Sequence, residues 1–276
     1  NFVVHFGDKT SAGKTTALSF AASVWGRPAR GNGLVGSWDQ TANRYAMDAS
    51  MYCNIPLILD ETRVARDYDT VEQFIYTFWE GVERGRAASG SAAEVKGRWR
   101  STLISSGEGP ITRMQEGAVD RHGGLAARVV EVRGRPMGRE CEENREAADG
   151  LLRRINGNYG HLGPRLVQTL LAYRRNWPEL LSAYDTIKSE INQRPEIRRS
   201  AIAGRIGASA AVLELAGRIL HDTMDLPLPT VDPVAFMLDG ALGLNAEDRS
   251  IRVMYRMREW LFSHEAHFWG RHDTSG

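Results

Sequence analysis

The chain has 276 residues, of which 42% are apolar and 25% charged, and its formal net charge is +1. This length and composition are typical of a globular protein with one large domain, or with a core domain and a smaller companion. The near-zero charge gives no overall nucleic-acid signature, and no apolar run approaches the roughly 20 residues that cross a membrane.

The first half of the chain alternates short apolar strands with helices. Strands are predicted at residues 2–6, 33–38, 55–61, 101–105 and 128–132, because each is a short apolar or β-branched run. Helices are predicted between them at residues 14–25, 41–51 and 70–82. This alternation predicts a parallel sheet covered on both faces, a three-layer α/β/α fold.

After residue 139 the pattern changes to helices without strands. The helical stretches are predicted at residues 140–154, 164–175, 178–192, 197–222, 233–242 and 246–262. We therefore place a domain boundary near residue 138, between an α/β core at residues 1–138 and an α-helical region at residues 139–276. Because the chain opens on Asn1 and a strand-like run follows at once, we expect it to be a segment of a longer protein.

Residues 1–16, NFVVHFGDKTSAGKTT, contain a near match to the phosphate-binding loop G-x-x-x-x-G-K-[ST]. Such a site needs backbone N–H groups at a helix N-terminus, a lysine for the β and γ oxygens, and a hydroxyl for Mg²⁺. Gly13, Lys14 and Thr15 supply these groups in order, after a strand and before a buried helix. The predicted ATP-binding residues are Gly7, Asp8, Thr10, Ser11, Ala12, Gly13, Lys14, Thr15 and Thr16.

The first glycine of this loop is out of register. Counting back from Lys14 places Asp8 at its position, with Gly7 one residue too early. Either Gly7 makes the turn and the loop holds one extra residue, or Asp8 takes the glycine position at positive φ, which aspartate tolerates better than most residues.

The run IPLILDE, at residues 55–61, ends in two acids. ATPases place one carboxylate at the end of a buried strand to hold Mg²⁺, and often a second acid that polarises the attacking water. Asp60 is predicted to serve the metal together with Thr15, and Glu61 to serve the water. The structural alternative is a strand that ends in a solvated Asp-Glu turn. Glu61 favours hydrolysis, because a P-loop kinase, which transfers phosphate to an acceptor, does not need an acid that activates water.

Two further groups of residues are candidates for the same chemistry. Ser105 and Ser106 end another predicted strand, where one of them would sense the γ-phosphate or orient the water, unless they only form a turn. Arg121 and Arg128 precede the last strand, and one of them is expected to act on the γ-phosphate of a neighbouring subunit.

The loop at residues 84–100 combines basic residues with an aromatic one. This mixture suits single-stranded nucleic acid, through charge on the backbone and stacking on the bases. A merely solvated basic loop is the alternative. The candidate contacts are Lys96, Arg98, Trp99 and Arg100.

Several stretches together resemble the domain-of-unknown-function 927 family. They read GKTTALSFAASVWGRP, SWDQTAN, IPLILDE, FWEGVERGRA, RWRSTLISSGE and NYGHLGP. The resemblance is strongest over residues 2–109 and weaker after residue 139. It implies a helicase-like AAA+ P-loop ATPase of phages, plasmids or mobile islands, working as a ring, most simply a hexamer, on DNA.

The resemblance also assigns individual positions. It places Lys14 and Thr15 at the phosphate and Mg²⁺ positions, Asp60 and Glu61 in the second motif, and Ser105 or Ser106 at the sensor. Arg165 resembles an arginine that opens a helix in the lid of AAA+ motors. Trp38, Thr41 and Asn43 match a family stretch whose role does not follow from the residues.

The sequence thus predicts an ATP- and Mg²⁺-dependent DNA helicase or translocase. The alternative is an AAA+ ATPase that loads, packages or remodels DNA without unwinding it. Neither a metal knuckle nor a disulfide framework is expected, because Cys53 and Cys141 lack C-x-x-C spacing. We expect a cytoplasmic protein without a membrane partner, since no signal peptide is found.

Overall fold

A computed structural model describes residues 1–8, 13–84, 97–111, 124–125, 128–132, 134–198, 201–227, 231–235 and 237, without the side chains of residues 201–206. Its centre is a five-stranded sheet in the order β2-β3-β4-β1-β5, and every recorded pairing is parallel. The strands are β1 (Phe2–Gly7), β2 (Val35–Ser37), β3 (Leu57–Asp60), β4 (Thr102–Gly107) and β5 (Val129–Val132). The five strands predicted from the sequence are therefore confirmed, with ends shifted by a few residues.

Three helices connect the strands where the sequence predicts them. They are α1 (Lys14–Ser23), α2 (Ala42–Met51) and α3 (Tyr68–Glu80). The side chain of Thr41 accepts a hydrogen bond at the start of α2, and that of Asp67 does so at the start of α3, which satisfies backbone N–H groups that have no partner within the helix. Gly81, at φ 74°, ends α3 in the left-handed conformation that glycine adopts without strain.

Helices cover both faces of the sheet. On one face, Val3, Leu59 and Leu103 pack with the buried side chains of α2 and α3. On the other face, Ile58 packs with Leu18 of α1 and with its neighbours. Because successive side chains of a strand point to opposite faces, each strand contributes to both layers. The predicted α/β class is confirmed.

The chain after β5 is helical as far as it is described. The helices are α4 (Glu142–Gly157), α5 (Leu162–Ala172), α6 (Trp177–Gln193), α7 (Pro195–Arg198) and α8 (Ala201–Arg218), and a π-helical turn follows at Ile219–Thr223. Buried side chains of α6, α7 and α8 share a hydrophobic cluster with Val130 of β5, so these helices pack on the sheet. The helices predicted at residues 233–242 and 246–262 lie largely or wholly outside the described residues. Within the described helices, none combines the length and the apolar character needed to cross a bilayer.

Candidate functional site

The carboxyl ends of β1, β3 and β4 meet at one edge of the sheet, and α1 begins at the same edge. Asp60, the last residue of β3, lies there with its side chain only 3% exposed. Its Oδ1 accepts a hydrogen bond from the Ser106 hydroxyl. Its Oδ2 accepts one from Thr15 Oγ1 at 3.2 Å. The structure therefore brings together three residues that are far apart in the sequence, as the parallel sheet predicts.

The pleat of β4 separates the two candidate serines. Ile104 and Ser106 point to the face that α1 covers, as do Ile58 and Asp60 of β3, whereas Leu103 and Ser105 point to the opposite face. Ser106 is buried, donates to Asp60, and accepts from the Glu61 N–H at 3.1 Å. Ser106, rather than Ser105, is thus the serine that contacts the acidic pair.

Gly13 and Lys14 form the turn into α1. Gly13 has φ 82°, and a Cβ there would lie 2.5 Å from Met137 Cγ, so both its conformation and its surroundings require glycine. Lys14 is largely buried, and its Nζ donates to the Asp8 carbonyl oxygen at 2.6 Å. Thr16 is also largely buried. The predicted residues Thr10, Ser11 and Ala12 lie outside the described residues.

The out-of-register glycine has a steric explanation. Gly7 is the last residue of β1 and pairs with Gly107, so it does not make the turn. Residues 9–12, which follow Asp8 in this loop, lie outside the described residues, so a left-handed conformation at Asp8 stays a prediction. A Cβ at Gly7 would lie 2.7 Å from the Gly109 carbonyl oxygen and 3.0 Å from Pro110 N. Glycine is needed at position 7 because the backbone after β4 passes too close for a side chain.

Glu61 has an unusual backbone conformation. Its φ is 64° and its ψ 84°, in the left-handed region that residues other than glycine rarely adopt. The Glu61 carboxylate accepts a hydrogen bond from the Arg63 N–H at 3.2 Å, and the Glu61 N–H is held by Ser106. Conformations of this kind cost about 1–3 kcal/mol and concentrate at functional sites. The strain turns the chain immediately after the buried Asp60.

Arg30 is a member of this site that the sequence did not reveal. Its guanidinium forms an ion pair with Asp60 Oδ2, the same oxygen that Thr15 contacts. Arg30 lies in the loop between α1 and β2, and no motif in the sequence distinguishes it from the other arginines. Only the three-dimensional path of that loop brings it to β3.

A buried polar chain lies beneath the site on the other face of the sheet. Trp38 Nε1–H donates to Ser105 Oγ at 2.9 Å, and Ser105 Oγ is 3.0 Å from His5 Nδ1. His5 Nε2 is 2.9 Å from the Gly109 carbonyl oxygen. Since a carbonyl can only accept, His5 carries its proton on Nε2, and Nδ1 accepts from the Ser105 hydroxyl. The apolar run FVVHF hinted at this burial, because His5 shares the inward face of Val3.

The environment of His5 keeps its ring neutral. Burial lowers the pKa of His5 from 6.5 to about 4; the hydrogen bond to the Gly109 carbonyl opposes this shift, and the positive charge of Lys14 adds to it. A neutral ring is the form that can accept from Ser105 and donate to Gly109 at the same time. His5 therefore ties β1 and β4 to the turn that excludes a side chain at Gly7.

The prediction that Trp99 stacks on nucleic-acid bases is wrong. Trp99 is only 2% exposed, its ring stacks on Phe78 with centroids 6.2 Å apart, and its Nε1–H donates to the Phe78 carbonyl at 3.0 Å. The reason is local alternation: Arg98, opposite Val82 in a short antiparallel bridge, and Arg100 are exposed, so the residue between them points into the core. Arg98 and Arg100 remain available to a ligand, and Lys96 lies outside the described residues.

The predicted arginines differ in how far the structure describes them. Arg128 directly precedes β5, at the sheet edge opposite Asp60, where its guanidinium lies 4.7 Å from the Tyr76 ring centroid and donates to the Gly124 carbonyl. Arg121 lies outside the described residues, so a finger role for either arginine stays a prediction. Arg165 donates to the Met224 carbonyl oxygen at 3.4 Å, a contact within the helical region.

Comparisons with known proteins agree with this architecture. Residues 1–98 match the family model described as "Domain of unknown function (DUF927)", which confirms the family resemblance found in the sequence. A solved structure described as "SCCmec type IV Cch - active helicase" superposes with a TM-score of 0.68 over 95% of this chain, at 21% sequence identity. This chain covers 46% of that one. No curated protein matches the chain. The similarity to the solved structure shows that the two share a fold.

Proposed function

We propose that this chain is the motor part of an ATP-dependent DNA helicase or translocase, a P-loop ATPase of AAA+ type. The observation that carries this proposal is the meeting of Thr15, Asp60 and Ser106 at the carboxyl edge of the sheet, beside the glycine turn that starts α1. A strand order of β2-β3-β4-β1-β5, with the loop after the β1 strand, supports it. Ligands of open parallel sheets bind at this edge.

The residues at the site fit a magnesium nucleotide. Mg²⁺ prefers oxygen ligands and usually keeps waters and substrate phosphates around it, so the protein supplies one or two oxygens. Asp60 Oδ2 and Thr15 Oγ1, 3.2 Å apart, are such a pair. Groups of three or more acidic, histidine or cysteine ligands do not occur among the described residues, which fits a site completed by phosphates. When bound, Mg²⁺ would neutralise charge on the phosphates.

Each residue of the site has a task in this proposal. Lys14 holds the β and γ oxygens of ATP by exchanging the Asp8 carbonyl for phosphate, and the backbone N–H groups at the start of α1 bind the same anion. Glu61 orients the attacking water and accepts its proton. Ser106 fixes the distance between the two acids, because its hydroxyl contacts the Asp60 side chain and the Glu61 backbone. ATP is thereby cleaved to ADP and phosphate.

DNA is the proposed substrate, and ATP hydrolysis would move the basic segment at residues 84–100 along a DNA strand. The exposed Arg98 and Arg100 and the fold shared with a helicase support this. The burial of Trp99 removes the stacking platform from that segment, which favours the second candidate, a loading, packaging or remodelling ATPase that does not unwind duplex. The two candidates differ in whether a forked duplex is opened.

We further propose that the chain assembles with copies of itself, most simply as a hexameric ring. In the described part of the chain, α5 buries Gly163 alone, although it is rich in apolar residues. Apolar side chains, among them Leu171 of α5 and Leu181 of α6, are more than half exposed. We propose that a second copy of the chain covers these side chains. Replacing both leucines by glutamate should shift the sedimentation coefficient towards the monomer, whereas Met51→Glu, at a residue equally exposed on α2, should not.

The test of the motor is ATP hydrolysis with and without single-stranded DNA. Lys14→Ala should abolish turnover, and Glu61→Gln should lower it by about two to four orders of magnitude while ATP still binds, as is typical when a general base is lost. Full turnover in Lys14→Ala would refute the nucleotide site. If single-stranded DNA does not change the rate of ATP hydrolysis by the assembled protein and a forked duplex is not opened, the non-unwinding ATPase is the supported candidate. Phosphate that appears on an acceptor rather than in solution would indicate a kinase.

A further inference from the structure

Arg30 contacts the carboxylate that the proposed metal site requires. Its backbone pairs with Val35 at the start of β2, and its guanidinium reaches Asp60 Oδ2. The two side chains differ strongly in exposure, 62% for Arg30 and 3% for Asp60. A buried carboxylate is costly unless it is paired and hydrogen-bonded. Arg30 supplies the positive charge that pairs with Asp60.

The contacts of Asp60 are divided between its two oxygens. Oδ1 accepts from Ser106, and Oδ2 receives both Thr15 and Arg30. Oδ2 and the Thr15 hydroxyl are also the proposed ligands of Mg²⁺. The guanidinium and the metal ion are both cations, so they repel each other at close range and compete for the same oxygen.

We propose, on the basis of the proposed function, that Arg30 competes with Mg²⁺ for Asp60 and moves to the phosphates of the nucleotide when the metal binds. The Arg30 guanidinium is largely exposed, so it can leave Asp60 once the metal supplies the positive charge that the buried carboxylate needs. The planar guanidinium suits phosphate oxygens through paired N–H groups. Without ATP, the metal ion would displace the Arg30 guanidinium into water. With ATP, the phosphates are an anionic partner for both the metal ion and the guanidinium. Arg30 thus couples metal binding to nucleotide binding.

The experiment measures binding of Mn²⁺, as a paramagnetic probe for Mg²⁺, to the full chain without nucleotide. We expect Arg30→Gln to bind Mn²⁺ about tenfold more tightly than the parent, because one competing charge has been removed. Arg63→Gln is the matched control: the Arg63 side chain is also 62% exposed, and it pairs with Glu108 instead of Asp60. Arg63→Gln should bind Mn²⁺ as the parent does.

A second titration with a non-hydrolysable ATP analogue measures the coupling. The ratio of Mn²⁺ affinities with and without the analogue should be about tenfold smaller in Arg30→Gln than in the parent, since coupling is a ratio of affinities. Equal affinities and equal ratios in the two proteins would overturn the role of Arg30.

Asp60→Asn separates this failure from failure of the proposed function. If Asp60→Asn loses Mn²⁺ binding while Arg30→Gln resembles the parent, the role of Arg30 is refuted and the nucleotide site stands. If Asp60→Asn binds Mn²⁺ as tightly as Arg30→Gln does, the metal does not lie at Asp60, and both the role of Arg30 and the proposed metal site are refuted.

Discussion

The buried His5 should make the stability of this protein depend on pH between 7 and 4. In the unfolded chain histidine has its ordinary pKa of 6.5, whereas burial lowers the pKa of His5 in the folded protein to about 4. Between these values the unfolded state binds more protons, so the free energy of unfolding rises with pH. This contribution is fully present above pH 6.5 and is lost as the pH falls from 6.5 towards 4.

The size of the effect follows from the shift. Each pKa unit corresponds to about 1.4 kcal/mol, so the full contribution approaches about 3 kcal/mol, of which about 2 kcal/mol is lost between pH 7 and pH 5. Asp67 and Asp232 have pKa values lowered from 3.8, so they contribute below this window. The part of the loss above pH 5 that disappears when His5 is replaced should therefore be assignable to His5.

Urea denaturation at pH 7, 6 and 5, followed by circular dichroism, measures this dependence. His5→Gln keeps an N–H donor for the Gly109 carbonyl but cannot titrate. Between pH 7 and pH 5 the free energy of unfolding should therefore fall by about 2 kcal/mol less in His5→Gln than in the parent. The exposed His161 provides the control, and His161→Gln should follow the parent. Parallel curves for the parent and His5→Gln would refute the burial of a neutral ring.

Three other substitutions test the packing at and near the site. Gly7→Ala should lower the free energy of unfolding by about 1–3 kcal/mol because its Cβ meets the backbone after β4, whereas Gly109→Ala, with open space around it, should change urea unfolding little. Trp99→Ala should lower the free energy of unfolding by about 3–5 kcal/mol. Its affinity for single-stranded DNA, measured by anisotropy below the melting temperature, should equal that of the parent. Glu61→Gly should abolish hydrolysis yet raise the free energy of unfolding by about 1 kcal/mol through relief of strain. The gain should exceed that of Asn54→Gly, at a residue with φ 70°. A fall in the free energy of unfolding in Glu61→Gly would contradict the strain.

The strands and the edge that carries the site could be predicted from the sequence because both depend on local patterns. Apolar runs of four to six residues are visible without tertiary information, and parallel pairing follows from the helices between them. Once the strands are parallel, residues that end them must meet at one edge. Thr15 and Asp60 could therefore be paired across 45 positions of sequence.

The features that could not be predicted depend on which way a side chain points. The sequence groups Trp99 with its basic neighbours. In the structure, the antiparallel bridge at Arg98 leaves Arg98 exposed and points the next side chain, Trp99, into the core. The offset of Gly7 was visible, although its cause was not, since the close approach of Gly109 comes from a loop a hundred residues away. Arg30 gave no signal, because a long side chain in a loop can reach many positions.

Ser105 and Ser106 show how one strand serves two purposes at this site. Ser106 joins the acids on the α1 face, where a change in its position would alter the geometry of the proposed ATP hydrolysis. Ser105 joins Trp38 to His5 on the opposite face, where loss of the hydroxyl would leave a buried indole N–H and a ring nitrogen unsatisfied, at about 1–3 kcal/mol for each group. The buried network thus holds β1 against β4, in the register that sets Gly7 against the backbone of Gly109, while the β3–β4 pairing sets Asp60 beside Ser106. A fixed distance between the acids and the glycine turn is what phosphate chemistry requires, because positioning supplies most of the catalysis of phosphoryl transfer.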